Sequence, residues 1–248
     1  MTRIQKAFAD KKPFIAFLTG GDGDTKKYIH EMVENGADII EIGIPFSDPV
    51  AEGPVIQEAS ARALAVGTTV DDLFKLVAEV RAEGVEIPLL FMTYLNPVFH
   101  YGYDKFFERC EEVGIDGIII PDLPYEEQHE VKDVASLYNV ATISLIAPTS
   151  EKRALMIAKE SEGFIYLVSS MGVTGERSEI KTDIKPIVDS IKSVTDTPVA
   201  IGFGISTPEQ AASMSQLADG VIIGSAIVKR IGSGEDVGSF VRAVKEAL

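Results

Sequence analysis

The chain has 248 residues, of which 46% are hydrophobic and 25% charged, and a formal net charge of −15. This length and composition are typical of a globular protein with a large buried core, and no apolar run is long enough to span a membrane. The acidic balance and the lack of Lys/Arg runs argue against nonspecific nucleic-acid binding. We therefore expect neither a nucleic-acid nor a membrane partner.

The first residues and the single cysteine bear on the cellular compartment. Residues 1–10 have the pattern of a short amphipathic helix and lack the apolar segment of a signal peptide. Cys110 is the one cysteine, lies in a helical stretch and cannot form an internal disulfide. These features predict a short N-terminal helix and a cytoplasmic protein.

Short apolar runs recur along the chain, and a segment with helical periodicity follows each of them. The predicted strands are Pro13–Thr19, Ala37–Gly43, Pro88–Thr93, Gly117–Pro121, Ala141–Ala147, Phe164–Ser169, Val199–Phe203 and Gly220–Gly224. Amphipathic helices are predicted at Val70–Ala82, Asp104–Val113 and Glu126–Leu137. About eight strand–helix units predict an α/β fold, a single (β/α)8 TIM barrel spanning residues 1–248. A doubly wound sheet is the competing arrangement, but the even spacing and the lack of a linker favour the barrel.

Glu41 lies near the end of the second predicted strand. Side chains alternate between the two faces of a strand, so Ile40 and Ile42 share one face, and Ile39 and Glu41 share the other with Gly43. A carboxylate aimed into a packed interior is costly unless it is paired, hydrogen-bonded or protonated. Glu41 is therefore either a structural acid or a catalytic one, and the C-terminal ends of barrel strands are where catalysis occurs.

The other strand ends narrow the chemistry. No predicted strand ends in Lys, which disfavours a Schiff-base aldolase. The three histidines, His30, His100 and His129, lie away from the strand ends, so we expect no metal site. Acid–base chemistry by carboxylates remains.

Three glycine-bearing segments follow the late strands, at residues 172–175, 202–204 and 224–226. Glycine lets backbone amides approach an oxyanion closely, and a helix that begins near Ser225 would add its N-terminal amides. Tight turns also need glycine, which is the alternative interpretation. The arrangement favours a small phosphate ester as substrate, bound by Gly175, Gly204, Gly224 and Ser225, with its other end reaching Glu41.

Several motifs together carry a family resemblance. They are residues 41–49 (EIGIPFSDP), 92–97 (MTYLNP), 121–124 (PDLP), 172–175 (GVTG) and 202–204 (GFG). In order and spacing they resemble the α subunit of tryptophan synthase over essentially the whole chain. The resemblance implies reversible retro-aldol cleavage of indole-3-glycerol phosphate to indole and glyceraldehyde 3-phosphate, in tryptophan biosynthesis. It also implies a pyridoxal-phosphate β subunit as partner in an α2β2 heterotetramer. We expect no cofactor on this chain itself, because it has no Lys suitably placed to hold pyridoxal phosphate.

The resemblance also assigns roles to two carboxylates. Glu41 would be the acid–base group, and Glu52 would stabilise the indole N–H. The family usually reads Ala-Asp-Gly where this chain reads Ala51-Glu52-Gly53, so the second carboxylate stands on a side chain that is one methylene longer. A misplacement of about 1 Å can cost on the order of 100-fold in rate. The alternative interpretation of Glu52 is a solvated loop acid.

Further positions carry over individually. Substrate contacts are implied for Phe17, Ile56, Met92, Ile119, Tyr166, Thr174 and Phe203. Each apolar member is equally good as core, Tyr166 is either a neighbour of Glu41 or barrel filling, and Thr174 belongs to a loop that closes over substrate in the family. The partner interface would include Pro45, Asp48, Asn96 and Pro97.

Three other functions stay open on the sequence alone. The first alternative is a stand-alone indole-releasing lyase. The second is a mainly regulatory α subunit whose catalysis is weakened by Glu52 in place of Asp. A phosphosugar isomerase or epimerase is the most distant alternative, because it would place a His, a Lys or a metal ligand on a strand end.

Overall fold

The structure is a computed structural model that describes residues 1–9, 11–148, 150–168, 184–202 and 204–248. The strands of these residues are β1 (Phe14–Thr19), β2 (Ile39–Gly43), β3 (Leu89–Met92), β4 (Gly117–Ile119), β5 (Ala141–Thr142), β6 (Ser144–Ile146), β7 (Ile165–Val168), β8 (Val199–Gly202) and β9 (Gly220–Ile223). The helices are α1 (Arg3–Phe8), α2 (Thr25–Glu34), α3 (Pro54–Ala65), α4 (Val70–Ala82), α5 (Leu95–Tyr101), α6 (Tyr103–Val113), α7 (His129–Leu137), α8 (Glu151–Lys159), α9 (Lys185–Lys192), α10 (Pro208–Ser215), α11 (Ser225–Ser233) and α12 (Val237–Ala247).

The strands form one parallel sheet in the order β5-β4-β3-β2-β1-β9-β8-β7-β6. The two strands at the ends of this order, β5 and β6, are consecutive in the chain and are separated by Ile143 alone. The sheet therefore curls into a barrel whose two edges are joined by the chain itself. The prediction of a (β/α)8 barrel is confirmed, and the short N-terminal helix is present as α1.

The prediction of one continuous fifth strand over Ala141–Ala147 was wrong, because the strand is divided at Ile143. Its first half pairs with β4, and the amide of Ile143 still donates to the carbonyl of Ile118 at 2.9 Å. Its second half pairs with β7 instead. The amide of Thr142 donates to the Glu162 carboxylate at 2.7 Å, so the ladder with β7 begins only at Ser144. On the other side the chain after β4 soon reaches Pro121, which has no N–H to donate.

The barrel interior is a separate apolar cluster from the layer between sheet and helices. Its buried members are Ile4, Ala7, Ile15, Ile39, Leu90, Ile119, Ile143, Phe164, Tyr166, Ala200 and Ile222. Ile40 and Ile42 belong to the outer layer, which confirms the predicted alternation along β2. Helix α1 closes the lower end, because Ile4 and Ala7 reach into the interior cluster. The polar side chains at the other end of the barrel, where the strands have their C-termini, are therefore the candidates for catalysis.

The helices agree with their predicted bounds, with one exception. The predicted helix Glu126–Leu137 begins as a 3-10 turn, Tyr125–Glu127, and becomes α-helical only at His129. The amide of Glu127 donates to the carbonyl of Pro124 at 2.9 Å, which is the i to i+3 pattern of that turn. Within the described ranges, no helix combines the length and the hydropathy that crossing a bilayer requires.

Arg81 is a mostly buried residue, away from the C-terminal ends of the strands, that links several loops through hydrogen bonds. Its guanidinium donates to the carbonyls of Val85 and Ile87 at 2.7 Å, to that of Gly114 at 2.8 Å, and to the Asp116 carboxylate at 2.7 Å. Burial lowers the pKa of Arg81 to about 10 against the opposing attraction of Asp116. We expect Arg81→Met to lower the free energy of unfolding by about 3 kcal/mol, because it leaves three carbonyls without this donor. The Asp116 carboxylate also loses a hydrogen bond, although it keeps those from Arg3 and from the Leu89 amide.

Urea unfolding at neutral pH measures this loss. Arg109→Met is the matched control, because Arg109 pairs with Glu112 at 2.5 Å on the exposed surface, where an ion pair contributes about 1 kcal/mol or less. Equal losses for the two variants would contradict a special role for the buried arginine.

Candidate active site

Glu41 lies in the barrel wall between Phe17 of β1 and Leu90 of β3. Its side chain points inward and is 0% exposed. It lines a cavity at the C-terminal ends of the strands, together with residues of several other strands and of the loops that follow them. The described lining residues are Phe17, Glu41, Ala51, Glu52, Ile56, Met92, Pro121, Leu145, Tyr166, Gly204, Ile205, Ile222, Gly224 and Ser225.

The Glu41 carboxyl has no hydrogen-bond partner for either oxygen among the described residues. Burial without a compensating donor raises the pKa of Glu41 to about 8. The group is therefore protonated at neutral pH and close to its titration midpoint. A carboxylic acid in this state donates a proton readily and, once ionised, accepts one readily, which is what a general acid–base group requires.

This raised pKa also predicts a cost in stability. Between the unfolded pKa near 4.5 and the folded pKa near 8, the folded chain holds a proton that the unfolded chain has released. Stability contributed by Glu41 therefore falls as pH rises through this window, by up to about 5 kcal/mol, since one pKa unit corresponds to 1.36 kcal/mol. We expect Glu41→Gln to be more stable than wild type at about pH 9 and nearly equal to it at about pH 5. Urea unfolding across this range measures the difference, and a constant difference would contradict it.

Tyr166 of β7 faces the same interior. Burial and the negative charge of Glu41 both raise the pKa of Tyr166 well above its usual value, so its hydroxyl stays protonated. Gly202 of β8 makes room for the ring, because a Cβ at that position would lie 2.5 Å from the Tyr166 hydroxyl. The glycine at 202, predicted as part of a phosphate cradle, thus has a packing function beside Tyr166.

Glu52 lies on the loop between β2 and α3 and is half-buried. Burial raises the pKa of Glu52, and the charge of Asp122 adds to this, whereas a hydrogen bond from Tyr94 opposes it. The Tyr94 hydroxyl donates to the Glu52 carboxylate and accepts the amide protons of Val50 and Ala51 at 2.9 and 2.8 Å. Glu52 is therefore held in the cavity wall and is not a freely solvated loop acid.

Another part of the cavity wall is rich in glycine and backbone donors. Gly204 has φ +82°, a conformation that L side chains rarely adopt. Gly224 is the N-cap residue of α11, and Ser225 is its first residue. The first amides of a helix have no intrahelical acceptor and carry partial positive charge, so this end of the cavity suits an anion.

Nine of the predicted site residues therefore come together in one cavity. Ile119 does not line it and lies in the interior cluster below, fully buried. Thr174, Gly175 and Phe203 lie outside the described residues. The cavity wall also contains five residues that were not predicted from the sequence: Ala51, Pro121, Leu145, Ile205 and Ile222. Leu145 and Ile222 alternate with residues of the outer layer along their strands, which is the signal that points to them.

The predicted interface residues differ in exposure. Asp48 and Asn96 are exposed and Pro97 is half-buried, whereas Pro45 is buried. Two large apolar side chains of the same segments are strongly exposed: Val50, in the loop after β2, at 72% and Phe99, on α5, at 68%. Neither was predicted, because a short loop and a helix of two turns have too little periodicity to mark an apolar residue as exposed.

The described part of the chain contains no group of three His, Cys, Asp or Glu side chains placed to hold a metal ion. The residues that converge on the cavity are two carboxyls, a tyrosine, apolar walls and backbone amides.

Known proteins are similar to this chain in both sequence and fold. Residues 4–247 match the model of the family described as tryptophan synthase alpha chain. A tryptophan synthase alpha chain of Lacticaseibacillus casei is 50% identical over 231 residues, which is 92% of this chain and 86% of that one. The solved tryptophan synthase subunit alpha of Legionella pneumophila superposes with a TM-score of 0.88 at 35% identity, covering 100% and 98% of the two chains. A chain of Mycobacterium tuberculosis tryptophan synthase gives a TM-score of 0.91 at 33% identity, covering 99% and 98%.

Proposed function

Because the chain belongs to the tryptophan synthase alpha chain family, we propose that it is a carbon–carbon lyase that cleaves indole-3-glycerol phosphate reversibly to indole and glyceraldehyde 3-phosphate. The observation that carries the proposal is the Glu41 carboxyl, fully buried, without a hydrogen-bond partner among the described residues, and with a pKa raised to about 8. A protonated acid at the apolar end of a cavity suits a reaction that begins with protonation of a carbon atom.

Cleavage then needs one proton donated and one removed. Protonated Glu41 gives its proton to C3 of the indole ring, and the ring nitrogen becomes positively charged. The resulting Glu41 carboxylate takes the proton of the side-chain hydroxyl next to C3. The oxygen forms the aldehyde carbonyl, the C–C bond breaks, and its electron pair returns to the ring to neutralise the nitrogen. Glu41 ends protonated, ready for the next turnover.

Glu52 is the group proposed to act on the ring nitrogen. An ionised carboxylate beside the indole N–H stabilises the positive charge that develops there during protonation of C3. The Tyr94 hydrogen bond favours that ionised form of Glu52. The extra methylene relative to the family's usual Asp is accommodated by this contact, which supports a competent group at position 52.

The substrate's two ends match the two ends of the cavity. Its phosphate would bind the amides near Gly204 and Gly224 and the hydroxyl of Ser225, at the N-terminus of α11. Its indole ring would lie among the apolar side chains Phe17, Ile56 and Met92. Since the chain carries a net charge of −15, this local donor set is needed to attract an anionic substrate.

We further propose that the chain works with a tryptophan synthase β subunit, in an α2β2 assembly in the cytoplasm, as a single catalytic domain. The exposed Asp48 and Asn96, with the apolar Val50 and Phe99 beside them, form a mixed polar and apolar surface at the mouth of the barrel. Exposed apolar side chains on a Pro-rich loop and on the adjacent helix suit docking to a partner.

Indole release from indole-3-glycerol phosphate, measured for the chain alone and then with a β subunit, tests the proposal. Weak release that the partner stimulates strongly is the expected result. Full activity without stimulation would instead identify a stand-alone lyase. No release under either condition, with β-subunit activation intact, would overturn the lyase proposal and identify a mainly regulatory subunit.

A further inference from the structure

We propose that Tyr94 is a positioning residue that holds the Glu52 carboxylate in the active-site wall through its hydroxyl proton. The role of Glu52 in cleavage rests on the function proposed above, whereas the hydrogen bond itself does not. Tyr94 does not line the cavity and lies just after the end of β3. It belongs to the motif at residues 92–97, but the sequence alone assigns it no role.

The hydroxyl of Tyr94 has its hydrogen-bonding capacity fully used. A tyrosine hydroxyl offers one proton and two acceptor lone pairs. The amides of Val50 and Ala51 donate to its oxygen at 2.9 and 2.8 Å, which occupies both lone pairs. Its single proton is therefore left for the Glu52 carboxylate, which accepts it. The direction of this hydrogen bond follows from the two amides and needs no assumption about Glu52.

Tyr94 is itself held firmly. Its side chain is 3% exposed, and its ring packs on Phe46 with the ring centroids 5.0 Å apart. Tyr94 is the N-cap residue of α5, and the next amide, that of Leu95, donates to Asp122 at 2.9 Å. A phenol fixed on both sides can hold a loop carboxylate in one place, since the rigid partner loses little freedom in the contact.

The contact also gives the longer side chain at position 52 a physical reason. An aspartate at this position would end about 1.5 Å closer to the backbone, the length of one C–C bond. The extra methylene of Glu52 brings its carboxylate to the Tyr94 hydroxyl while the residue still lines the cavity. Glu52 and Tyr94 therefore form a matched pair.

The groups around Glu52 determine in which direction its pKa should move when the Tyr94 hydroxyl is removed. Burial raises the pKa of Glu52, the charge of Asp122 raises it further, and Tyr94 and nearby backbone amides lower it. Glu41 lines the same cavity but is protonated at neutral pH. Tyr94→Phe removes the side-chain hydrogen bond that favours the ionised form, so the pKa of Glu52 rises in the variant.

Carbon-13 NMR of glutamate side-chain carboxyls measures this directly, with Glu52→Gln used to assign the signal. We expect the Glu52 titration midpoint to move to higher pH in Tyr94→Phe. Tyr101→Phe is the matched control, since its hydroxyl bonds Asp71 at 2.7 Å on α4, and we expect it to leave the Glu52 midpoint unchanged. An unchanged midpoint in Tyr94→Phe would overturn the proposal. This arm needs no turnover, so it remains decisive even if the chain fails to release indole.

Kinetic measurements then distinguish two roles of Tyr94: positioning the Glu52 carboxylate, and supporting the loop through the Val50 and Ala51 amides. We expect Tyr94→Phe to lower kcat about 10-fold to 50-fold with KM changed by less than about 3-fold, because the carboxylate acts in the transition state. The acidic limb of the pH profile should move to higher pH with the Glu52 midpoint. In a Glu52→Gln background the same change should cost less than about 3-fold, because residues that act through each other are not additive. An undiminished loss in that background would show that Tyr94 acts through the Val50–Ala51 amides instead, and would overturn its positioning role.

Discussion

Glu41→Gln is expected to lower kcat for indole release by about 1,000-fold or more, which is within the range that general acid–base groups contribute. Glutamine has nearly the shape of the protonated acid, but it can neither give a proton to C3 nor take one from the hydroxyl. The side chain is fully buried and has no hydrogen-bond partner among the residues described, so the change breaks no observed contact. The fold should be kept, and at alkaline pH strengthened.

The measurement is single-turnover indole release with the β subunit present. Glu112→Gln is the control for loss of an exposed glutamate, because Glu112 is 52% exposed and lies in a surface ion pair. The activity of this variant should equal that of wild type. Binding of inorganic phosphate should be the same in all three proteins. Turnover within about 10-fold of wild type in Glu41→Gln would remove Glu41 from the acid–base role.

Glu52→Gln should give the second largest loss, about 100-fold in kcat, which is typical of removing one preorganised group that stabilises developing charge. The amide keeps the length of the side chain but carries no charge, so the positive ring nitrogen loses its counter-ion. KM should change little, since the neutral indole of the bound substrate needs no charge beside it. A loss confined to KM would show that Glu52 binds the substrate and does not stabilise the transition state.

Glu52→Asp separates charge from reach. Aspartate keeps the charge and restores the family's usual residue, but the shorter side chain retreats from the Tyr94 hydroxyl that holds the glutamate. We therefore expect turnover to fall, by about 10-fold, between wild type and Glu52→Gln. A rise in turnover would mean that the extra methylene is a handicap and that the loop has not adapted to it.

Features with strong periodicity were the ones that the sequence predicted well. Alternation along β2 placed Glu41 on the interior face, and apolar runs separated by helical patterns gave the barrel. The glycines after the late strands led to the prediction of a phosphate site, and three of the residues named for it, Gly204, Gly224 and Ser225, line the cavity. These signals are local, because each depends on the spacing of neighbouring residues alone.

Features that depend on contacts between distant residues were missed. The break in the fifth strand results from the Glu162 side chain taking the amide of Thr142. Gly202 was noted only as part of a glycine-bearing segment after a late strand, but its lack of a Cβ is required by the Tyr166 ring. Tyr94 reaches a carboxylate that lies 42 residues earlier in the chain. No window of sequence contains both partners of any of these pairs.

The divided fifth strand separates the barrel into two halves, and each half contributes a different part of the site. From β1 to β5 the strands are neighbours in sequence order, and so are those from β6 to β9; these two half-barrels meet at the β1–β9 ladder and at Ile143. The two carboxyls of the cavity, Glu41 and Glu52, come wholly from the first half, whereas Gly204, Gly224 and Ser225 come from the second. The proposed reacting carboxyls and the proposed phosphate-binding residues thus come from different halves of the barrel. Neither half alone carries both ends of a site for a phosphate ester.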